Sequence, residues 1–428
     1  MTDPVLIYNL FPRLVGAMSL WAPHIDRAKA MGFNWLYINP ISYAGFSGSL
    51  YSVKDYYRVN PLFLDDSVDT DEQQMKTMIQ TSHRQGMKVM FDLVINHTAV
   101  DSVLVPLHPD WYVRKPDGSI KNPQVWEGDK LVTTWGDLAE IDNEASSDRE
   151  HLWAYWDALI AWNQSLGVDG FRCDAAYQVP VSLWHYLIPR AKARDAKTVF
   201  FAETLGCEIE DVVALAEAGF DYTFNSSKWW DFKEPWCLKQ YAESALHAPS
   251  VSFAESHDTL RLSQEVNGNM AAMKMYYSFS AFFSSAILMP LGFEFGFQKR
   301  VNVVKTLPSD WEEPVFDMRD FIRKTNGLKV SHRVFLEEGP VIQISQPNPK
   351  VVVLQKSTRD GSQRALLVFN LDKRWHQGVN LSLEECLSAP LTRICDISID
   401  YALEIAPPQL DYQLRPNQVM IWVSEKKQ

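Results

Sequence analysis

Eight short apolar runs punctuate the first three quarters of the chain, each followed by polar or turn-forming residues. They are VLIYNL from Val5, WLYINP from Trp35, KVMFDLVINH from Lys88 and VDGFRCD from Val168. TVFFAET from Thr198, FDYTFN from Phe220, SVSFAESHD from Ser250 and SAILMPLGFEFG from Ser285 complete the set. Short continuous apolar runs predict buried strands. Between them lie helical patterns such as LWAPHIDRAKAMGF and DEQQMKTMIQTSHRQGM, with Gly32 and Gly86 where helix C-caps belong. Strands alternating with helices predict a parallel α/β fold, and eight strands close a (β/α)8 TIM barrel.

The pattern breaks twice. Residues 98–146 are rich in Pro, Gly, Asp and Trp, as in HPDWYVRKPDGSIKNPQVWEGDK. Irregular excursions of this length are usually functional, so an inserted small domain over 98–146 is expected after strand 3. After about residue 333, GPVIQISQ, KVVVLQKST, RALLVFNL and QVMIWVSE read as strands separated by turns. The predicted organisation is a barrel over 1–97 and 147–332, with a C-terminal all-β sandwich over 333–428.

Composition narrows the function. Forty-one Lys and Arg against 53 Asp and Glu give a net charge of −12. That argues against nucleic acid or an anionic membrane as a partner. The N-terminus lacks a signal-peptide pattern, and no apolar stretch is long enough to span a bilayer. Five cysteines without a CxxC pair predict neither a disulfide framework nor a zinc site, and point to the cytoplasm. The oligomeric state is left open.

Chemistry concentrates at the predicted strand ends, where barrel enzymes place their active sites. Asp92, Asn96 and His97 close the third run. Arg172 and Asp174 sit in the fourth, GVDGFRCDAA, an apolar stretch in which unpaired charges would be costly. Glu203 ends the fifth run, and His257 and Asp258 end the seventh. Three carboxylates at one mouth are what retaining glycosidic chemistry needs: one attacks the anomeric carbon and another protonates the leaving oxygen. Arginine beside the attacking carboxylate favours its ionised form. The apolar residues before Glu203 suit an acid that keeps its proton. A metal hydrolase is the competing reading, but the chain has no HExxH.

Taken together, DLVINH, GVDGFRCDAA, FAET and ESHDTLR resemble the four conserved segments of the α-amylase superfamily, glycoside hydrolase family 13. LYSVKDYY, LMPLGFEFG and, more weakly, LAEID resemble further segments, so the likeness runs from residue 5 to about 330. It implies Asp174 as nucleophile, Glu203 as acid/base and Asp258 as the third carboxylate. It also implies Arg172 positioning Asp174, His97 and His257 contacting the sugar, Tyr51 stacking on its face, and Arg261 supporting the site. Asn96 matches a calcium ligand of many members, but Glu140 replaces the usual aspartate partner. No metal is expected in the chemistry; the resemblance allows only a structural calcium.

Tyr177 and Gln178 stand where many members carry a Lys-His pair on the leaving-group side, which makes Tyr177 a candidate face for an acceptor sugar. Trp111 and Trp126 of the inserted segment are candidates for covering the cleft. YQVPVSLWHYLI and HPDWYVRKPDGSIKNP look somewhat like bacterial maltosyltransferases. The expected function is a retaining α-glycosidase acting on α-glucan oligosaccharides. The alternative is an α-glucan or maltosyl transferase, and a silent carbohydrate-binding member is a third reading.

Overall fold

The computed structural model describes residues 3–66, 69–127, 130–387 and 392–426. The eight apolar runs form eight parallel strands of one closed barrel. These are β1 (Val5–Leu10), β2 (Trp35–Ile38), β3 (Lys88–Leu93), β4 (Gly170–Cys173), β5 (Val199–Ala202), β6 (Tyr222–Phe224), β7 (Ser250–Phe253) and β8 (Ala286–Pro290). Each lies beside its predecessor, and β8 closes onto β1. The helices Ala22–Ala30 and Asp71–Arg84 end just before Gly32 and Gly86, whose φ values of 90° and 71° are the left-handed geometry expected of helix ends.

Side chains alternate across a strand, so every second residue points into the barrel. Ile7, Trp35, Tyr37, Met90, Phe201 and Leu288 belong to one buried cluster that fills it. Gly170 makes room for that filling: a Cβ there would lie 2.6 Å from the Val199 carbonyl oxygen and 3.0 Å from the Trp35 ring. The same alternation carries Asp92 with Met90, Arg172 and Asp174 with Gly170, and Glu203 with Phe201. The charged residues are therefore the next interior layers of the same strands.

Two excursions build up the mouth. A hairpin pairs Ser42–Ala44 with Val53–Val59 after β2, and Tyr51 lies in its connection. Between β3 and β4, His97–Ala99 pairs with Leu138–Glu140 and Gln124–Glu127 with Lys130–Thr134.

The C-terminal part is an antiparallel sheet of Val341–Ile344, Val351–Ser357, Arg364–Asn370, Val419–Lys426 and Thr392–Asp396, accompanied by a ribbon of Gln377–Ser382 and Gln409–Leu414. Its alternation serves two cores. Val352, Leu354, Leu367 and Phe369 join the core around the barrel, while Val351, Val353, Leu366 and Val368 pack with Val379, Leu381 and Leu410 of the ribbon. No helix of the described residues is long and apolar enough to cross a membrane, and the five cysteines form no disulfide.

Candidate active site

Arg172 is the centre of the mouth. It is 4 % exposed and meets three carboxylates. Its Nη1 lies 2.9 Å from Asp92 Oδ1 and 2.6 Å from Asp174 Oδ1, and its Nη2 lies 2.7 Å from Glu203 Oε1. Strand register makes this unavoidable: Arg172 sits level with Asp92 on β3 and Phe201 on β5, with Asp174 and Glu203 just beyond. Burial alone would weaken the guanidinium's hold on its proton, but Asp92 and Glu203 outweigh it and keep it charged.

One cation among three anions changes the expectation for Asp174. Burial pushes its carboxyl up, Arg172 pulls it down, and the charges of Glu203 and Asp92 push it up again; the net direction is up. Arg172 is shared, so it does not hold Asp174 in the low range that a private pair would give. Glu203 also departs from its expected apolar surroundings. Besides Arg172, it accepts the backbone N–H of Ala175 through Oε2 at 2.7 Å. Ala175 presents that N–H from a left-handed backbone, φ 41° and ψ 47°, a conformation a non-glycine residue adopts at a cost of about 1–2 kcal/mol.

Around this core sits a ring of positioning contacts. The Tyr51 hydroxyl donates to Asp92 Oδ2 at 2.7 Å and lies 2.7 Å from His257 Nε2. The two rings are parallel within 3°, with centroids 5.8 Å apart. His97 Nε2 lies 3.1 Å from the Tyr51 carbonyl oxygen, so it carries the proton of that bond. Burial lowers the His97 pKa to about 4, leaving the ring neutral at neutral pH. His257 Nε2 is also 3.0 Å from Asp258 Oδ2. Half of the Asp258 side chain is open to solvent. Desolvation there raises its pKa, but His257, Arg172 and Arg300 lower it further, and the net is well below the usual carboxylate range.

Asp174, Glu203, Asp258, Arg172, Tyr51, His97 and His257 therefore meet at one mouth. Arg261 does not join them. It is 2 % exposed, paired with the buried Glu255 at 2.8 Å, and donates through Nε to the Lys299 carbonyl at 3.2 Å. It braces the loop from within instead of facing a sugar. Tyr177 is half-buried against the core, on the short 3-10 turn after Asp174; the charge of Glu203 lies close enough to help burial raise its pKa. Trp111 is buried against His108 at 3.8 Å and so covers no cleft; the Trp126 side chain lies outside the described residues.

Three residues of the mouth carry no expected site role in the sequence reading. Asp92 was legible as a strand-end acid, but its pairing with Arg172 needs the register between β3 and β4. Tyr37 donates to Asp92 Oδ2 at 2.6 Å, and its signal is only its inward parity on β2. Arg300, beyond β8, donates to the Asp258 carbonyl at 2.5 Å and has no sequence signal beyond its charge.

The residues around Asn96 do not fit a calcium ion. Asn96 Oδ1 is buried without a partner among the described residues, as an ion ligand would be. But Asn96 Nδ2 donates to Gln178 at 3.1 Å, and the Glu140 carboxylate already has Lys121 Nζ at 2.9 Å. All four residues line one cavity. A dication would share it with an ammonium, and the described residues contain no cluster of three or more His, Cys, Asp or Glu that could hold a metal.

The strand order is that of a closed (β/α)8 barrel, and its mouth gathers three carboxylates around one guanidinium. Comparison with known proteins agrees. Residues 1–114 match the model of the glycogen debranching enzyme glucanotransferase domain. The chain is 23 % identical to an α-1,4-glucan:maltose-1-phosphate maltosyltransferase of Burkholderia pseudomallei over 87 % of this chain and 34 % of that protein. It is 21 % identical to a cyclomaltodextrinase of Geobacillus thermopakistaniensis over 87 % of this chain and 67 % of that one. Against the first three maltosyltransferases it matches, the chain spans 34 %, 45 % and 55 % of their length. Its fold overlays an α-amylase of Geobacillus thermoleovorans with a TM-score of 0.79 at 17 % identity, covering 100 % of this chain and 99 % of that one. An α-amylase from Lactobacillus plantarum follows at 0.76 and 21 %, covering 98 % of each chain. In fold, and over these stretches of sequence, the chain is similar to enzymes of the α-amylase family.

Proposed function

We propose that the chain is a retaining enzyme acting on α-glucosidic bonds of α-glucan oligosaccharides through a covalent glycosyl-Asp174 intermediate. The observation that carries this is the convergence of Asp174 and Glu203 on one guanidinium, with Asp258 beside them. The Asp174 carboxylate attacks the anomeric carbon as Glu203 gives its proton to the departing oxygen. Glu203 then takes a proton from the incoming hydroxyl, which attacks the same carbon and releases Asp174. Asp258, ionised beside His257, holds sugar hydroxyls as the ring flattens. No step needs a metal.

Tyr177 supports transfer as a second reading. A half-buried aromatic next to the acid offers a face to an acceptor sugar, and such a face favours sugar over water as the attacking group. Maltosyltransferases among the relatives point the same way.

A panel of malto-oligosaccharides with product analysis tests both readings. Asp174→Asn should lose nearly all turnover, and Glu203→Gln about 10²- to 10⁴-fold, with partial rescue of the latter by a glucosyl fluoride that needs no acid. Near-parental turnover in Asp174→Asn would refute the assignment.

A further inference from the structure

Outside the barrel, where helix Met270–Phe283 meets the C-terminal sheet, a cavity of about 170 Å³ opens to the surface. A water's share of liquid volume is about 30 Å³, so the space is on the scale of one sugar ring. None of its lining residues belongs to the mouth.

Three features make it a built site. First, Asn417 Nδ2 is buried without a hydrogen-bond partner among the described residues, although its turn is tightly held. The Asn417 N–H donates to Asp372 at 3.1 Å, Arg415 N–H donates to Gln418 at 2.8 Å, and Asn370 Nδ2 donates to the Arg415 carbonyl at 2.8 Å. A buried donor left unmade costs about 1–3 kcal/mol, and here a rigid turn holds it at a cavity wall. Second, Tyr401 is 55 % exposed on a left-handed backbone, φ 59°, and the Arg415 guanidinium lies 4.4 Å from its ring centroid. Third, Asp400 adds an acceptor, already neutralised by Lys274 at 2.8 Å.

We propose that this seam binds one ring of a neutral glucose oligosaccharide, with Tyr401 as the stacking face and Asn417 Nδ2 as donor to a hydroxyl. Hydroxyls both donate and accept, which matches Asp400 and Asn417 together. An anion fits less well, because Lys274 is paired with Asp400 and Arg415 lies over the Tyr401 ring. The choice of a glucan rests on the α-glucan reading of the mouth. The site would hold a long chain to the enzyme while another part of it enters the barrel.

Affinity electrophoresis through gels with and without glycogen tests this on the full chain, on Tyr401→Ala and on Asn417→Gly. The glycine keeps the left-handed turn and deletes only the amide. Retardation by glycogen should fall about threefold to tenfold in both variants, the scale of one lost aromatic contact for Tyr401→Ala and of one lost hydrogen bond for Asn417→Gly, while kcat/KM on maltotriose stays unchanged. Retardation unchanged in both variants overturns the site, and so does a parent chain that glycogen does not retard. Saturable binding of inorganic phosphate that Asn417→Gly abolishes, without glucan retardation, overturns the sugar assignment in favour of an anion. Retardation that depends on Tyr401, in an enzyme whose Asp174→Asn variant keeps full turnover, sustains this site and removes the reading of the mouth.

Discussion

At the residue scale the mouth is an account of one guanidinium. Asp174's folded-state pKa lies above its unfolded value of about 3.9. The folded state therefore holds that proton longer, and the stability this provides below about pH 3.9 is lost as pH rises towards the folded value. Asp174→Asn removes the penalty of an ionised carboxylate among carboxylates. It should melt about 1–3 °C above the parent at neutral pH, with the gap closing at acid pH. A variant less stable than the parent at neutral pH contradicts the charge balance described. The same balance places the acid limb of kcat/KM above the ordinary aspartate range, and a pH profile with its limb below about 4 would show that Asp174 ionises unhindered. Arg172, Asp174, Glu203, His257 and Asp258 were legible in the sequence because charges at the ends of apolar runs are costly unless used. The sharing was not legible, because a chain read in one dimension pairs Arg172 with its neighbour Asp174 and hides Asp92, eighty residues earlier. How Arg261 acts was hidden too: its partner Glu255 lies on its own loop and faces inward, so it braces the loop and does not face a sugar.

At the element scale, the eight strands were legible because strands buried on both faces leave continuous apolar runs. The short strands of 98–146 and the C-terminal ribbon were not, since two-stranded edges with one wet face leave weak patterns. Interior packing argues one element-level prediction. Gly170→Ala puts a methyl group against the Val199 carbonyl and the Trp35 ring, neither of which can yield without shifting β5 or β2 relative to β4. Overpacking of this kind costs about 1–3 kcal/mol. Because β4 carries Arg172 and leads into Asp174, kcat should fall along with the melting temperature. Parental stability and rate in the Gly170→Ala variant would show that the interior is looser than described.

At the scale of the whole molecule, barrel, inserted segment and C-terminal sheet were anticipated from breaks in the periodicity of the chain. Which acceptor would attack the proposed intermediate was not, since that depends on how the mouth is walled. At high concentrations of a malto-oligosaccharide the enzyme should yield products longer than the donor. Tyr177→Ala should lower the ratio of transfer to hydrolysis several-fold, more than it lowers donor consumption. A ratio that stays constant while both reactions weaken together would make Tyr177 a packing residue. Hydrolysis products alone, at every donor concentration, would eliminate transfer.

The Lys121–Glu140 contact spans the 19 residues between two segments of the insertion, next to the Asn96–Gln178 bond that reaches the turn carrying Tyr177. Stability drawn from a bound ion rises with the logarithm of that ion's concentration. A positive charge that is part of the polypeptide has no such dependence: it is always present, is never exchanged and is not removed by a chelator. The melting temperature should therefore be flat from excess EDTA to millimolar calcium, and a rise with calcium would contradict the ammonium's place. What the contact does answer to is ionic strength, because it is partly exposed and screened by salt. The wall beside the acceptor would be tuned by the salinity of its surroundings and would be indifferent to their supply of divalent metal.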